Sequence, residues 1–204
     1  MKILEHSYKQ NKINIIGEKF HRGKDFFIFL NGSEKEAKIY SEKGFNVIQN
    51  FLEDVEVEDL PNSKKCFVSC ELFEHLHNPE NFLLKLNELM NSKDLFILTT
   101  LSSLGIDIQV LWENSPSVSP PHHLNFFNPK SIKKILDRTG FEQIDVSSPG
   151  KLDIDILINN KKYVVDRFLK TFIETASEAE KESWQINVTN SSWSSHMMVV
   201  CQKK

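Results

Sequence analysis

Two groups of acidic and imidazole side chains have the residue types and spacing that suit chemistry. Glu71, Glu74 and His75 lie at relative positions i, i+3 and i+4, so a helical turn would place them on one face. Two carboxylates and an imidazole arranged in this way can bind a divalent metal such as Mg²⁺. In the alternative interpretation, Glu74 and His75 brace a loop while Glu71 lines a ligand pocket. Residue types alone leave both interpretations open.

The second group is the adjacent pair His122 and His123, in a long irregular segment from Leu101 to about Asn128. Imidazole titrates near neutral pH, so either histidine could act as a general base on a hydroxyl group. Either could also add a ligand to the metal site, or simply order the loop through a backbone contact. We therefore take His122, His123 and Glu74 as the catalytic candidates.

Both groups follow apolar segments that are typical of buried strands. Glu71 comes directly after Cys66–Cys70, and the histidine pair follows Leu95–Thr100. Because such strands alternate with helical segments along the chain, they predict an α/β fold with a mostly parallel sheet. The other predicted strands are Phe26–Leu30, Phe45–Ile48, Phe141–Val146 and Met197–Cys201, and helices are predicted over Glu34–Lys43, over Phe82–Met90, from Pro129, and within Tyr163–Trp184.

Composition narrows the classes of function. The 204 residues suit one domain, and 40% hydrophobic residues can form a sizeable core. A net charge of -3 argues against a nucleic-acid partner. Three cysteines without metal-type spacing favour reduced core thiols, and no apolar run approaches the roughly 20 residues of a membrane span. Met1–His6 lacks the pattern of a signal peptide, so we expect a cytoplasmic protein without a membrane partner.

Several separated motifs together resemble the class I S-adenosylmethionine-dependent methyltransferases. Cys66–Leu76 followed by Asn78-Pro79 is similar to the fourth strand and following turn of that family, and Pro121–Pro129 is similar to its later loop. Pro149–Asp155 and Ser194–Met197 resemble a subgroup associated with sugars and surface polysaccharides. The resemblance implies a Rossmann-like three-layer sandwich with an antiparallel last strand. It also implies methyl transfer from S-adenosylmethionine to a hydroxyl of a sugar or small molecule.

The resemblance also assigns cofactor-binding roles. Glu71 would lie beside the transferable methyl group, and Glu53 or Asp54 would bond the adenine amine, although both also suit a solvated acidic loop. Asn31 stands where the family places an acidic residue for the ribose hydroxyls. Some relatives with the Glu-x-x-Glu-His pattern use it to bind Mg²⁺. The metal candidates implied here are Glu71, Glu74 and His75.

The glycine-rich cofactor loop of the family is missing from this sequence. No two of its seven glycines are two residues apart, whereas the family pattern is close to Gly-x-Gly-x-Gly. We therefore expect residues 1–25 to replace or lack the first strand and helix, with Ile13–Ile16 as the candidate for the first strand. The methyltransferase-like domain would span 26–204, with a helical insertion at about 150–190.

This departure leaves two other hypotheses open. The chain could be a degenerate methyltransferase fold that serves as a non-catalytic interaction or regulatory module. It could also be a gene fragment whose missing part carried the loop. Either a homo-oligomer or a partner protein could then complete the sheet.

Overall fold

A computed structural model of the chain describes residues 12–17, 27–30, 34–43, 46–62 and 64–204. Its centre is one seven-stranded sheet with the order β3-β2-β1-β4-β5-β7-β6. The strands are β1 (Lys12–Gly17), β2 (Phe27–Leu30), β3 (Asn46–Ile48), β4 (Lys65–Cys70), β5 (Leu95–Leu101), β6 (Phe141–Ser147) and β7 (His196–Lys203). Seven α-helices lie in the described part of the chain: α1 (Glu34–Glu42), α2 (Pro79–Leu89), α3 (Ile106–Leu111), α4 (Pro129–Arg138), α5 (Asp153–Asn159), α6 (Arg167–Thr175) and α7 (Glu178–Asn190).

The strand directions confirm the predicted Rossmann-like fold. β2 pairs in parallel with β3, and β4 pairs in parallel with β5. β7 is antiparallel to both of its neighbours, β5 and β6, as expected for the last strand. Because β4 and β5 point the same way, their carboxyl ends open onto the same edge of the sheet.

β1 contains Ile13–Ile16, the candidate for the first strand, but its direction was not expected. It lies between β2 and β4 and is antiparallel to both, with Lys12 opposite Cys70 and Gly17 opposite Lys65. A parallel connection needs a crossover of roughly a dozen residues or more, and Gly17 and Phe27 are closer in the sequence than that. An antiparallel pairing needs no crossover, so the short connection favours the reversed direction. The amino end of β1 therefore lies beside the carboxyl end of β4.

Helices α2 and α4 begin at sequence signals and pack on the sheet. Each has a proline in its first turn and an asparagine cap, Asn78 for α2 and Asn128 for α4, whose side chain accepts hydrogen bonds from backbone N–H groups. Their apolar faces join one large core with strands β4 to β7. Its fully buried members include Phe67, Leu86, Phe96, Leu98, Ile132, Leu136 and Val199.

A second, smaller core lies under the helices that separate β6 from β7. It combines residues of α3, α5, α6 and α7, namely Leu111, Ile154, Leu157, Ile173 and Val188, with Val164. This unit is joined to the start of β7 by the Asp153 carboxylate, whose Oδ1 accepts a hydrogen bond of 2.8 Å from the Ser195 backbone N–H. The helical unit thereby holds the segment that leads into His196.

Candidate active site

The candidate site lies where β4 and β5 end and β7 begins. Glu71 is the first residue after β4, and its φ of 47° is in the left-handed region that non-glycine residues rarely adopt. Its backbone N–H donates to the Thr99 carbonyl at 3.0 Å, which ties this turn to the end of β5. A strained residue that the neighbouring strand holds in place is typical of functional sites.

Glu71 is paired with a histidine from the last strand. His196 Nδ1 lies 3.2 Å from Glu71 Oε1, and about a fifth of each side chain is exposed. Burial alone would raise the pKa of Glu71, but the hydrogen bond and charge of His196 outweigh burial and lower that pKa. Burial likewise opposes the charged form of His196, yet Glu71 raises the pKa of His196 above its ordinary value. The two groups therefore stabilise each other as an ion pair.

Glu74 lies one turn further along and is almost completely buried, with 1% of its surface exposed. It belongs to the 3-10 helix Phe73–His75, and its Oε2 accepts a hydrogen bond of 2.7 Å from Thr100 Oγ1. Burial, followed by the nearby charge of Glu71, raises the pKa of Glu74 to about 7. The two carboxylates thus have different electrostatic environments although they are three residues apart.

Two histidine rings complete the cluster. His75 and His123 contact each other with ring centroids 4.9 Å apart, and both rings are half-buried. Nδ1 of His75 lies 2.8 Å from the His122 carbonyl, and Nδ1 of His123 lies 2.6 Å from the Ser117 carbonyl. Because a carbonyl oxygen only accepts, each Nδ1 carries a proton, and in the neutral imidazole Nε2 presents a lone pair.

The loop that carries His123 is fixed to the turn that carries Glu74. The Glu74 carbonyl accepts hydrogen bonds from the backbone N–H groups of Leu124 and Asn125, at 2.7 and 3.1 Å. The Asn125 side chain donates to the carbonyls of Phe73 and Leu76. The 3-10 helix and the loop therefore form one rigid structure, and the positions of His75 and His123 depend on each other.

The structure separates the two adjacent histidines of the sequence. His123 joins Glu74 and His75, whereas the side chain of His122 is exposed and only its backbone carbonyl contacts the cluster. Both backbone N–H groups donate to the Ser119 carbonyl, so a tight turn orients the two rings differently. The sequence contained no signal that distinguishes these neighbours.

The residues predicted to bond the adenine amine lie on the surface. Glu53 and Asp54 are in the 3-10 helix Leu52–Asp54 after β3, and both side chains are exposed. Asn31 lies outside the described residues. Two residues that contact the acidic side chains of the site, Thr100 at Glu74 and His196 at Glu71, were not predicted. Thr100 ends an apolar strand, and His196 follows Ser194-Ser195 in a motif that the family resemblance had marked without assigning a role.

A model of one protein family matches the larger part of the chain. Residues 12–146, more than half of the chain, match a family model described as a methyltransferase domain. The chain belongs to this methyltransferase family. No curated protein matches the sequence. The strand order places Glu71 and Thr100 at the carboxyl ends of the parallel strands β4 and β5.

Solved structures with the same fold are distant in sequence. An S-adenosylmethionine-dependent methyltransferase from Thermotoga maritima is 14% identical with a TM-score of 0.55, and the alignment covers 87% of this chain and 72% of that chain. The methyltransferase of Haloferax volcanii in complex with the Trm112 activator is 11% identical with a TM-score of 0.54, covering 86% and 71%. An O-methyltransferase of a trans-AT PKS multienzyme from Brevibacillus brevis, bound to S-adenosylhomocysteine, is 11% identical with a TM-score of 0.51, covering 86% and 58%.

The methyltransferase fold implies S-adenosylmethionine, and the described residues fit it unevenly. On the β4 side, Glu71 offers an ionised, part-exposed carboxylate at the strand end, which suits a positively charged ligand group. On the β1 side, the strand is reversed and Gly17 lies at the opposite edge of the sheet, beside Lys65. The fit is therefore restricted to the β4 half of the site. Among the described residues, no helix of this methyltransferase domain is both long and apolar enough to cross a membrane.

Proposed function

We propose that this methyltransferase domain transfers a methyl group from S-adenosylmethionine to a hydroxyl of a sugar or small molecule. The observation that supports it is the grouping of Glu74 and His123 beside Glu71, at the edge where the family carries out its chemistry. When bound, S-adenosylmethionine supplies a methyl carbon already activated by a sulfonium, so the protein contributes mostly alignment and a proton acceptor.

His123, Glu74 and Glu71 would have different roles in this reaction. Nε2 of His123 would accept the hydroxyl proton, because its Nδ1 proton is held by the Ser117 carbonyl. The nearby Glu74 carboxylate would stabilise the resulting imidazolium by its charge, while the Ser117 carbonyl on Nδ1 would keep the ring in place. Glu71, held by His196 and by its backbone bond to Thr99, would orient the positively charged end of the cofactor.

The sugar or small-molecule acceptor is supported by the family resemblance of Pro149–Asp155 and Ser194–Met197. In the structure these segments meet, since Asp153 Oδ1 accepts hydrogen bonds from the backbone N–H and the hydroxyl of Ser195, at 2.8 and 3.2 Å. We infer that the contact positions His196 for its ion pair with Glu71. A cytoplasmic location and a role in surface-polysaccharide synthesis belong to the same proposal and derive from sequence alone.

The second candidate function is a non-catalytic interaction or regulatory module. The reversed β1 favours it, because the family approaches its cofactor with glycine backbone at the end of a parallel first strand. If the chain is such a module, the polar side chains around Glu74 have only a structural role, which is to join the loop to the sheet. A partner protein or a second copy could contribute the missing glycine-rich segment.

Calorimetry of the purified chain with S-adenosylmethionine and S-adenosylhomocysteine distinguishes the two. The methyl-transfer proposal predicts micromolar affinity and a clear loss of affinity in Glu71→Gln. Affinity that is absent up to millimolar ligand, for a protein whose circular dichroism shows native folding, would reject the enzyme as it stands and support the non-catalytic module. Glu113→Gln, an exposed carboxylate in the loop after α3, is the matched control and should bind like wild type.

A further inference from the structure

We propose that Glu74, His75 and His123 bind a divalent transition-metal ion. One ligand atom from each of the three residues lies within 4.8 Å of the other two. The inference concerns this cluster alone and does not depend on S-adenosylmethionine or on methyl transfer. It replaces the Mg²⁺ expectation with a different donor set and a different class of ion.

The separations are close to those of a bound ion. In a tetrahedral zinc site the ligand atoms lie about 2.0–2.2 Å from the metal and therefore about 3.4 Å from one another. Because the ligand atoms of the cluster all lie within 4.8 Å of one another, the widest separation needs to shorten by at most about 1.4 Å, which side-chain rotations provide. His75 Nε2 and Glu74 Oε1 are already 3.9 Å apart.

The hydrogen bonds of the two rings are those of metal-binding histidines. Such histidines donate their second ring nitrogen to a backbone carbonyl or carboxylate, which fixes the tautomer and the ring orientation. Here the carbonyls of His122 and Ser117 bind the two Nδ1 atoms, so both Nε2 lone pairs are available. Glu74 is oriented in the same way, by Thr100 Oγ1 on its other oxygen.

The donor set favours a transition metal over Mg²⁺. Imidazole nitrogen suits Zn²⁺, Fe²⁺, Co²⁺ and similar ions, whereas Mg²⁺ prefers an octahedron of oxygens. The Mg²⁺ expectation also required Glu71, but Glu71 is engaged by His196 at 3.2 Å. Two imidazoles and one carboxylate therefore remain, which is a ligand set used by catalytic zinc sites.

The cluster is open on one side. Glu74 is buried, but His75 and His123 are half-buried, so solvent can reach the metal position. Three protein ligands leave a coordination position for water or for an oxygen of a ligand. With Nε2 of His123 bound to the metal, that nitrogen no longer accepts a proton; the metal would instead lower the pKa of a coordinated hydroxyl, which suits an oxygen-containing acceptor.

The test uses the full chain after a chelator has removed bound metal, and no S-adenosylmethionine is added. It therefore measures metal binding independently of the proposed function. We expect Zn²⁺ to bind with one-to-one stoichiometry and to raise the melting temperature. Co²⁺ should produce visible absorption bands of a nitrogen- and oxygen-ligated site. Mg²⁺ at the same concentrations should produce neither change.

Variants locate the site. His123→Ala, in the loop, and His75→Ala should each weaken Zn²⁺ binding by at least about 10- to 100-fold, the loss typical of even an outer-shell partner. His77→Ala and His122→Ala remove exposed side chains next to the cluster and are the matched controls. The double variant His6→Ala/His21→Ala should bind Zn²⁺ like wild type, which would exclude the two N-terminal histidines as ligands.

Three results would overturn the proposal. They are no Zn²⁺ binding by folded wild type, equal losses in the His77 or His122 controls, and Mg²⁺ binding as tight as Zn²⁺. If circular dichroism shows that His75→Ala does not fold, His123→Ala still tests the proposal. Unchanged Zn²⁺ affinity in His123→Ala would contradict the assigned ligand set.

Discussion

The two halves of the sheet edge differ in how closely their polar side chains are held together. At the ends of β4 and β5 and the start of β7, five polar side chains are held by one another and by backbone groups: Glu71, Glu74, His75, His123 and His196. At the other half, β1 runs in the opposite direction, and the acidic residues after β3 are exposed.

The contrast has a physical cause. Both halves contribute side chains to the large core, the β1 half through Leu52, Val55 and Leu60 after β3, so the difference lies in the strand connections. The β1 half depends on a chain connection that is too short for a parallel crossover. The sheet can thus hold a connected group of polar side chains at the ends of β4 and β5 while the strand beside them runs in the opposite direction. The following predictions test this difference, from the largest effect to the smallest.

The largest effect is expected from removing the aromatic residue that anchors the 3-10 helix. Phe73 is fully buried and packs against Phe82 and Phe127, with ring centroids at 5.6 and 5.9 Å. We expect Phe73→Ala to lower the free energy of unfolding by about 3–5 kcal/mol, because it removes buried surface and leaves a cavity. Chemical denaturation measures this loss.

Phe51 provides the matched control from the other half. It precedes the 3-10 helix after β3 and is 65% exposed. Phe51→Ala should change the free energy of unfolding by less than about 0.5 kcal/mol, as surface substitutions usually do. Equal losses in the two variants would contradict the difference in burial between these two aromatic side chains.

A smaller effect is expected at the hydrogen bond that orients Glu74. Thr100→Val keeps the shape of the side chain but removes the hydroxyl that donates to Glu74 Oε2. We expect a loss of about 1–3 kcal/mol in the free energy of unfolding, since a buried carboxylate loses a partner. Zn²⁺ affinity should fall by about 10-fold or more, as it does when outer-shell partners of metal ligands are removed.

Thr100→Ser is the control, because it retains the donor at nearly the same position. It should keep most of the Zn²⁺ affinity that Thr100→Val loses. If the two variants bind Zn²⁺ equally well, the hydroxyl does not orient Glu74 and this half of the site is less organised than its contacts suggest. Unfolding by denaturant and calorimetry give the two measurements.

The smallest effect on stability is expected at the acidic pair after β3. Glu53→Gln combined with Asp54→Asn should change the free energy of unfolding by less than about 0.5 kcal/mol, because both side chains are exposed. If they bond the adenine amine, affinity for S-adenosylhomocysteine should fall by about 5- to 10-fold, the loss of roughly one hydrogen bond. Calorimetry measures that affinity.

An unchanged affinity in this double variant, with wild-type binding intact, would reject the adenine role and leave a solvated acidic loop. Since the charge change is on the surface, Glu56→Gln with Glu58→Gln serves as a control for general electrostatics. That pair lies in the same acidic segment and should leave affinity for S-adenosylhomocysteine unchanged.

Much of the architecture followed from sequence patterns. Apolar runs of strand length located β4, β5, β6 and β7 to within one or two residues. Asn-Pro pairs indicated the starts of α2 and α4, because proline lacks a backbone N–H that the first turn does not need. These features depend on neighbouring residues, so a single sequence is sufficient to predict them.

The composition of the cluster was only partly predictable. Glu71, Glu74 and His75 stand close together in the sequence at the end of a strand, so their proximity could be expected. His196 could not be assigned as the partner of Glu71, since it lies on a strand far along the chain. The choice of His123 over His122 likewise depended on how the Ser119 turn rotates the loop.

The sequence by itself determined the order of strands and helices, the absence of a Gly-x-Gly pattern, and the edge of the sheet at which acids and histidines gather. The tertiary structure decided the reversed direction of β1, the pairing of Glu71 with His196, and the grouping of Glu74 with His75 and His123. Local patterns specify elements because they depend on periodicity and caps. Contacts between distant residues depend on how strands are ordered and how loops turn, which no local pattern encodes.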